Sequence, residues 1–242
     1  FKQQMAEYVN ALNPAEAQQI QLSAVDLNRA LVRPLHGITY SKLEPGAKSQ
    51  AASAAAFMEK QFLEKTDLIL WVNALVEALV WGEEYSKRFE RAVRDLGTFL
   101  GFGSQMPEDD YGKGPDNLWA LGDLKYLVIE CKSGATKAKA ISKHDCNQLT
   151  GSVVWFEKQY GKSVSATPVM IHPKTQPENA ATLHPDTRIV TEEKLQKLIA
   201  SLRAYAVAVG SEFNKPNVVA TQLDHFGLTS AKFVAQFTKA GK

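Results

Sequence analysis

The feature that most narrows the folds open to this chain is a short run, Tyr126-Leu127-Val128-Ile129, apolar at every position and ending on Glu130-Cys131-Lys132. A half-exposed strand would alternate. An unbroken run of this length predicts a strand covered on both faces, inside a sheet. Gly122-Asp123 before it reads as a turn and residues 116–121 are β-like, so 116–121 and 125–132 are expected to form an antiparallel hairpin. Because successive side chains alternate faces, Glu130 and Lys132 fall on one side about 6–7 Å apart, and Cys131 on the other. The same hairpin brings Asp116 level with Glu130.

Helical periodicity flanks the hairpin. In the segment that begins at Glu83, the residues Phe89, Ala92, Val93, Leu96, Phe99 and Leu100 form one apolar stripe of a helix that ends at Gly101. Residues 101–114 follow as a loop rich in glycine and acid. A second amphipathic helix is predicted over 141–160, with Leu149, Val153 and Phe156 facing a core and Gly161 closing it. Residues 164–171 read as a strand, a proline-bearing loop runs through Pro185, and 187–190 is a short strand. Thr191-Glu192-Glu193 then opens a helix to about Val209. The order helix, strand, strand, helix, strand, strand, helix describes an α/β domain with a mixed central sheet flanked by helices.

That core is expected over 81–212, with a helical accessory region at 1–80 and a C-terminal helical extension at 213–242. Asn13-Pro14 reads as the cap and first residue of a helix reaching about Val32, where Pro34 and Gly37 stop it. Residues 43–49 form a linker. The alanine-rich stretch from Ala51 and the apolar run 68–81 are both helical, with Gly82 breaking the second. That run carries Asn73 and Glu77 and falls short of the roughly 20 residues that span a bilayer, so no membrane association is expected. Starting at Phe1 and not at a methionine, the chain is expected to belong to something larger.

With 28 basic against 26 acidic residues, net +2, the chain is too balanced to coat a nucleic acid, so a polyanion must be held by a local patch. Cys131 and Cys146 can supply neither a disulfide framework nor a structural zinc site, which makes a cytoplasmic setting the default. The five histidines are scattered. Gly161-Lys162-Ser163 lacks the earlier glycine of a P-loop, and no G-x-S-x-G elbow occurs.

Two carboxylates at the end of an apolar strand are costly unless positive charge offsets them. A hard divalent cation is the natural compensator. Magnesium needs only one or two carboxylates, with waters and phosphate oxygens completing its shell, and manganese can substitute. Such an ion activates water and neutralises charge on a phosphodiester, while Lys132 orients the water or steadies the transition state.

At these residues the sequence resembles the PD-(D/E)XK nuclease superfamily, whose pattern is Pro-Asp, a strand, then Asp/Glu-X-Lys. Here it reads Gly114-Pro115-Asp116, then Glu130 and Lys132, with a helical glutamate before the hairpin (Glu90, in Phe89-Glu90-Arg91-Ala92) and a glutamine after it (Gln148, in Asn147-Gln148-Leu149). Gly97, seven residues after Glu90, leaves room for something to approach that helix. The resemblance covers roughly 83–209 and implies a restriction-endonuclease-like sheet. It implies metal held by Asp116, Glu130 and the Cys131 carbonyl, with Glu90 as a metal or water-shell acid and Gln148 supporting a ligand or touching phosphate. The activity it implies is magnesium-dependent hydrolysis of DNA, in a helicase-associated, restriction or anti-phage defence system with other domains or subunits, homodimerisation being open. The alternative is a catalytically inactive fold that binds DNA or protein. Intact Asp116, Glu130 and Lys132 speak against it. Lys137, Lys139 and Lys143 follow Lys132 with no acid between, as a basic loop suited to phosphate contacts or as a solvated one.

Overall fold

The computed structural model of the chain describes residues 1–32, 40–46, 49–136 and 138–242. Helices α1 (Lys2–Asn10) and α2 (Pro14–Leu27) form an N-terminal pair, and the Asn13 side chain caps α2 by accepting the Glu16 N–H. Helix α2 ends at Leu27, short of Val32. Asn28 takes extended dihedrals there, and its side chain accepts the Ala30 N–H, a local turn that competes with helix. Pro34 and Gly37 lie outside the described residues.

Ser49 caps α3 (Gln50–Gln61), and a Glu64/Asp67 capping box opens α4 (Lys65–Glu77). A single 3₁₀ turn at Glu83–Tyr85 leads into α5 (Ser86–Phe99), whose predicted stripe is buried throughout. The segment 101–114, expected to be loop, contains a strand β1 (Gly103–Gln105) and a one-turn helix α6 (Pro107–Tyr111). Both are too short for periodicity to reveal. Then come β2 (Asn117–Gly122), β3 (Lys125–Cys131), α7 (Lys143–Tyr160), β4 (Ser165–Ile171), β5 (Arg188–Val190) and α8 (Glu192–Val209). The chain continues through α9 (Pro216–His225), α10 (Phe233–Phe237) and β6 (Lys239–Ala240).

The six strands form one mixed sheet in the order β1-β2-β3-β4-β5-β6, and the expected α/β architecture with helical regions at both ends is what the chain adopts. β1, β2 and β3 are antiparallel, β4 and β5 run parallel to β3, and β6 returns antiparallel to β5. β3 is interior, as its apolar run requires. Leu127, Ile129 and Cys131 face a large cluster built with α3, α4, α5, α8, α9 and α10, while Tyr126 and Val128 face Val153 and Phe156 of α7. Residues 54–79 and the C-terminal Phe233 and Phe237 thus bury their apolar groups in the same cluster as the sheet.

The hairpin turn lies one residue later than Gly122-Asp123. Asp123 and Leu124 both take positive φ, +50° and +56°, as a two-residue turn matching strand twist demands, and the register slips between Ala120 and Gly122. Leu124 is a branched residue held left-handed, so Leu124→Gly is expected to raise stability by about 1 kcal/mol in denaturant unfolding. Gly97 serves packing: a Cβ there would sit 2.6 Å from the Trp119 indole nitrogen and 2.9 Å from Ser104 Oγ. Gly97→Ala should therefore cost about 1–3 kcal/mol by the same measurement.

Candidate active site

The β2/β3 register pairs Asn117 with Ile129, and one step further it sets Asp116 opposite Glu130 at the open end of the hairpin. Asp116 Oδ2 accepts the Cys131 N–H at 2.7 Å, so the carboxylate takes over a main-chain bond just where the ladder stops. Lys132 Nζ lies 3.1 Å from Glu130 Oε2 and 4.0 Å from Asp116 Oδ2. Both carboxylates are buried, at 5% and 2% exposure. Asp116, Glu130 and Lys132 therefore converge as the hairpin geometry predicts, and Cys131 turns its side chain to the opposite face, toward Asn117. Burial pushes the Cys131 thiol far up, so it is no nucleophile.

Glu90 is buried on α5 beside this group. Lys87 Nζ donates to its carboxylate at 2.8 Å, and the Glu90 carbonyl accepts from Asn117 Nδ2 at 3.1 Å, tying α5 to the start of β2. Burial, then the charge of Asp116, raises the Glu90 carboxyl against the pull of Lys87. Gln148 is half-buried on α7, one turn before Ser152, and its side chain makes no hydrogen bond among the described residues. Lys139 and Lys143 are exposed and form no ion pair among the described residues, while Lys137 lies outside them.

Three participants were not legible in the sequence. Ser152 Oγ donates to Glu130 Oε1 at 2.7 Å from the α7 side, holding the second carboxylate oxygen that Lys132 leaves free. Lys87 bridges Glu90 and Asp109, the latter at 3.6 Å. Glu108, exposed on α6, shares a hydrogen bond with Asp116, which raises its carboxyl together with burial and the charges of Asp116 and Glu130. The acidic run Glu108-Asp109-Asp110 was the available signal for the last. A lone serine on a helix offers none.

Glu90, Glu108, Asp109, Asp116 and Glu130 set five acids against two ammonium groups, Lys87 and Lys132. Burial and Asp116 push Glu130 up to about 7, against the pull of Lys132 and Ser152. Burial works against the charge on Lys132, but Glu130 and Asp116 outweigh it and hold the ammonium above the ordinary lysine value. Excess negative charge with a carboxylate resisting ionisation fits a divalent cation. No cluster of three or more metal-ligating His, Cys, Asp or Glu side chains occurs among the described residues. An ion here would rest on Asp116, Glu130, a main-chain oxygen and water, a donor set that suits magnesium.

Glu130 is raised in the folded state, so its stabilising contribution is complete below its ordinary value of 4.5 and is lost as pH climbs through about 7. Without divalent cation, the parent should lose up to about 3 kcal/mol relative to Glu130→Gln between pH 4.5 and 8, and magnesium should restore part of it at pH 8. Melting curves of both proteins across that range check this; parallel curves would remove the buried charge from the account. The chain matches no protein-family model and no curated protein, so its chemistry has to be read from this geometry.

Proposed function

We propose that the chain is a magnesium-dependent nuclease that hydrolyses DNA phosphodiester bonds, acting with other domains or subunits of a defence or DNA-processing system. The observation that carries this reading is the convergence of Asp116, Glu130 and Lys132 at the end of an interior strand, with Glu130 resisting ionisation. The sheet order supports it too. A helix bearing Glu90, an antiparallel β1-β2-β3 unit, a crossover helix and a parallel β4 follow in the succession expected of a PD-(D/E)XK core.

Asp116, Glu130 and the Cys131 carbonyl would hold the cation, which supplies Lewis-acid neutralisation of the scissile phosphate when bound. Lys132, kept charged by its two acidic neighbours, places a point charge where a phosphate oxygen or the attacking water gathers negative charge. Ser152 fixes the Glu130 carboxylate so that its rotamer is set before substrate arrives. Lys87 pairs with both Glu90 and Asp109 and so offsets part of the negative charge beside Asp116.

Incubation with supercoiled, linear duplex and single-stranded DNA, with magnesium, manganese or EDTA, tests the reading. Cleavage should require the metal. Asp116→Asn and Glu130→Gln should each lower the rate at least about 100-fold with folding intact. Lys132→Met should leave cation binding measurable by calorimetry while turnover collapses. Metal-independent cutting, or parental rates in both carboxylate variants, would refute the proposed chemistry, and a folded protein that binds DNA without cutting it would favour the inactive alternative.

A further inference from the structure

Helix α5 has an outward face that the acidic cluster does not use. With Glu90 as origin and about 100° per residue, Arg94, Lys87, Thr98, Arg91, Asp95 and Arg88 follow one another round the helix before the buried side resumes at Phe99. Lys87 and Arg94 are engaged by carboxylates. Arg88 and Arg91 are exposed and form no ion pair among the described residues. Their side chains line an open groove of about 300 Å³ between α4 and α5, with Trp71, Leu75 and Ala78 among its apolar walls.

This face also adjoins the basic loop. The Gly82 N–H donates to the Ser133 carbonyl at 2.8 Å, and Gly134 packs so closely on Glu83 that a Cβ would meet its Cα at 3.0 Å. The loop that starts at Lys132 therefore abuts the turn that starts α5. The way from the acidic site, whose Lys132 precedes Ser133, to Arg88 and Arg91 runs across that junction. The acids on the way are Glu83 and Glu84 in the turn and Asp95, which Arg94 already occupies.

We propose that the outward face of α5, with its groove against α4, is a nucleic-acid track in which Arg88 and Arg91 grip backbone phosphates of DNA extending from the acidic site. It rests on the nuclease reading for its ligand. Guanidinium forks match phosphate oxygens in pairs, and an apolar wall beside them accommodates sugar without leaving a polar group unmet. A polyanion is the fitting occupant because neither guanidinium forms an ion pair among the described residues and the face lies on the helix that carries Glu90.

The test uses the full chain in an Asp116→Asn background, so that DNA binds without being cut. Fluorescence anisotropy against salt concentration compares it with Arg88→Gln/Arg91→Gln and with Glu84→Gln. The double variant should bind duplex DNA about tenfold or more weakly, with a salt slope shallower by up to about 1.8, or 0.9 per phosphate contact. Removing the acid at Glu84 should tighten binding. Matching thermal melts show that the variants are folded, and the two single variants, each expected at half the slope change, decide the matter if the double variant is not. Unchanged affinity and slope while the parent cuts DNA would overturn the track and leave the nuclease reading standing. A parent that neither binds nor cuts DNA at low salt would overturn both.

Discussion

The bond from the Cys131 N–H to Asp116 Oδ2 is the contact on which the arrangement at the open end of the hairpin depends. Beyond the last regular β2/β3 pair, a main-chain donor would be buried without an acceptor, and the Asp116 carboxylate fills that vacancy. In doing so it is pinned beside Glu130, and the chain then carries Lys132 back across both. One hydrogen bond settles the ladder's end and the spacing of the charges together. Everything else nearby, from Ser152 on α7 to Lys87 on α5, adjusts the electrostatics of a pair already fixed.

The loop carrying Asp116 is supported from an unexpected direction. The Glu108 N–H donates to the Pro115 carbonyl at 3.2 Å, and Gly114, at φ +103°, lies so close to the Trp155 ring that a Cβ would stand 3.0 Å from it. Trp155 in turn packs edge-on against Tyr40, 4.7 Å between centroids, and Tyr40 meets Tyr111 of α6 at 5.1 Å. Residues 40–46 therefore belong to the scaffold of the acidic cluster. The Leu43 N–H donates to the Tyr160 hydroxyl at 2.7 Å, and Gly46 lies against the main chain of Ala120 and Gly122.

How much of this was legible follows from how each signal is encoded. The interior strand announced itself because burial on both faces leaves no polar position between Tyr126 and Ile129, and the α5 stripe because its period is long enough to count. Asp116, Glu130 and Lys132 were found because strand alternation and hairpin pairing are geometric rules. β1, α6 and β6 were invisible: each has five residues or fewer, and each is stabilised by neighbours far away in sequence. Ser152 and Glu108 share that difficulty, since their roles come from tertiary contact. Gly97 misled for the opposite reason, its missing side chain being required by Trp119 in the core and not by anything approaching from outside.

The two outermost strands, three residues in β1 and two in β6, have a consequence for how copies of the chain can meet. A long free edge offers a ladder of unpaired amides that recruits a neighbouring strand and seeds aggregation. Here the Ser41 carbonyl takes the Gln105 side chain beside β1, and at the far side Lys242 bonds back to Thr175 just beyond β6. The sheet is left with little template for growth. Edge-to-edge strand pairing is therefore a poor route for copies of this chain to meet.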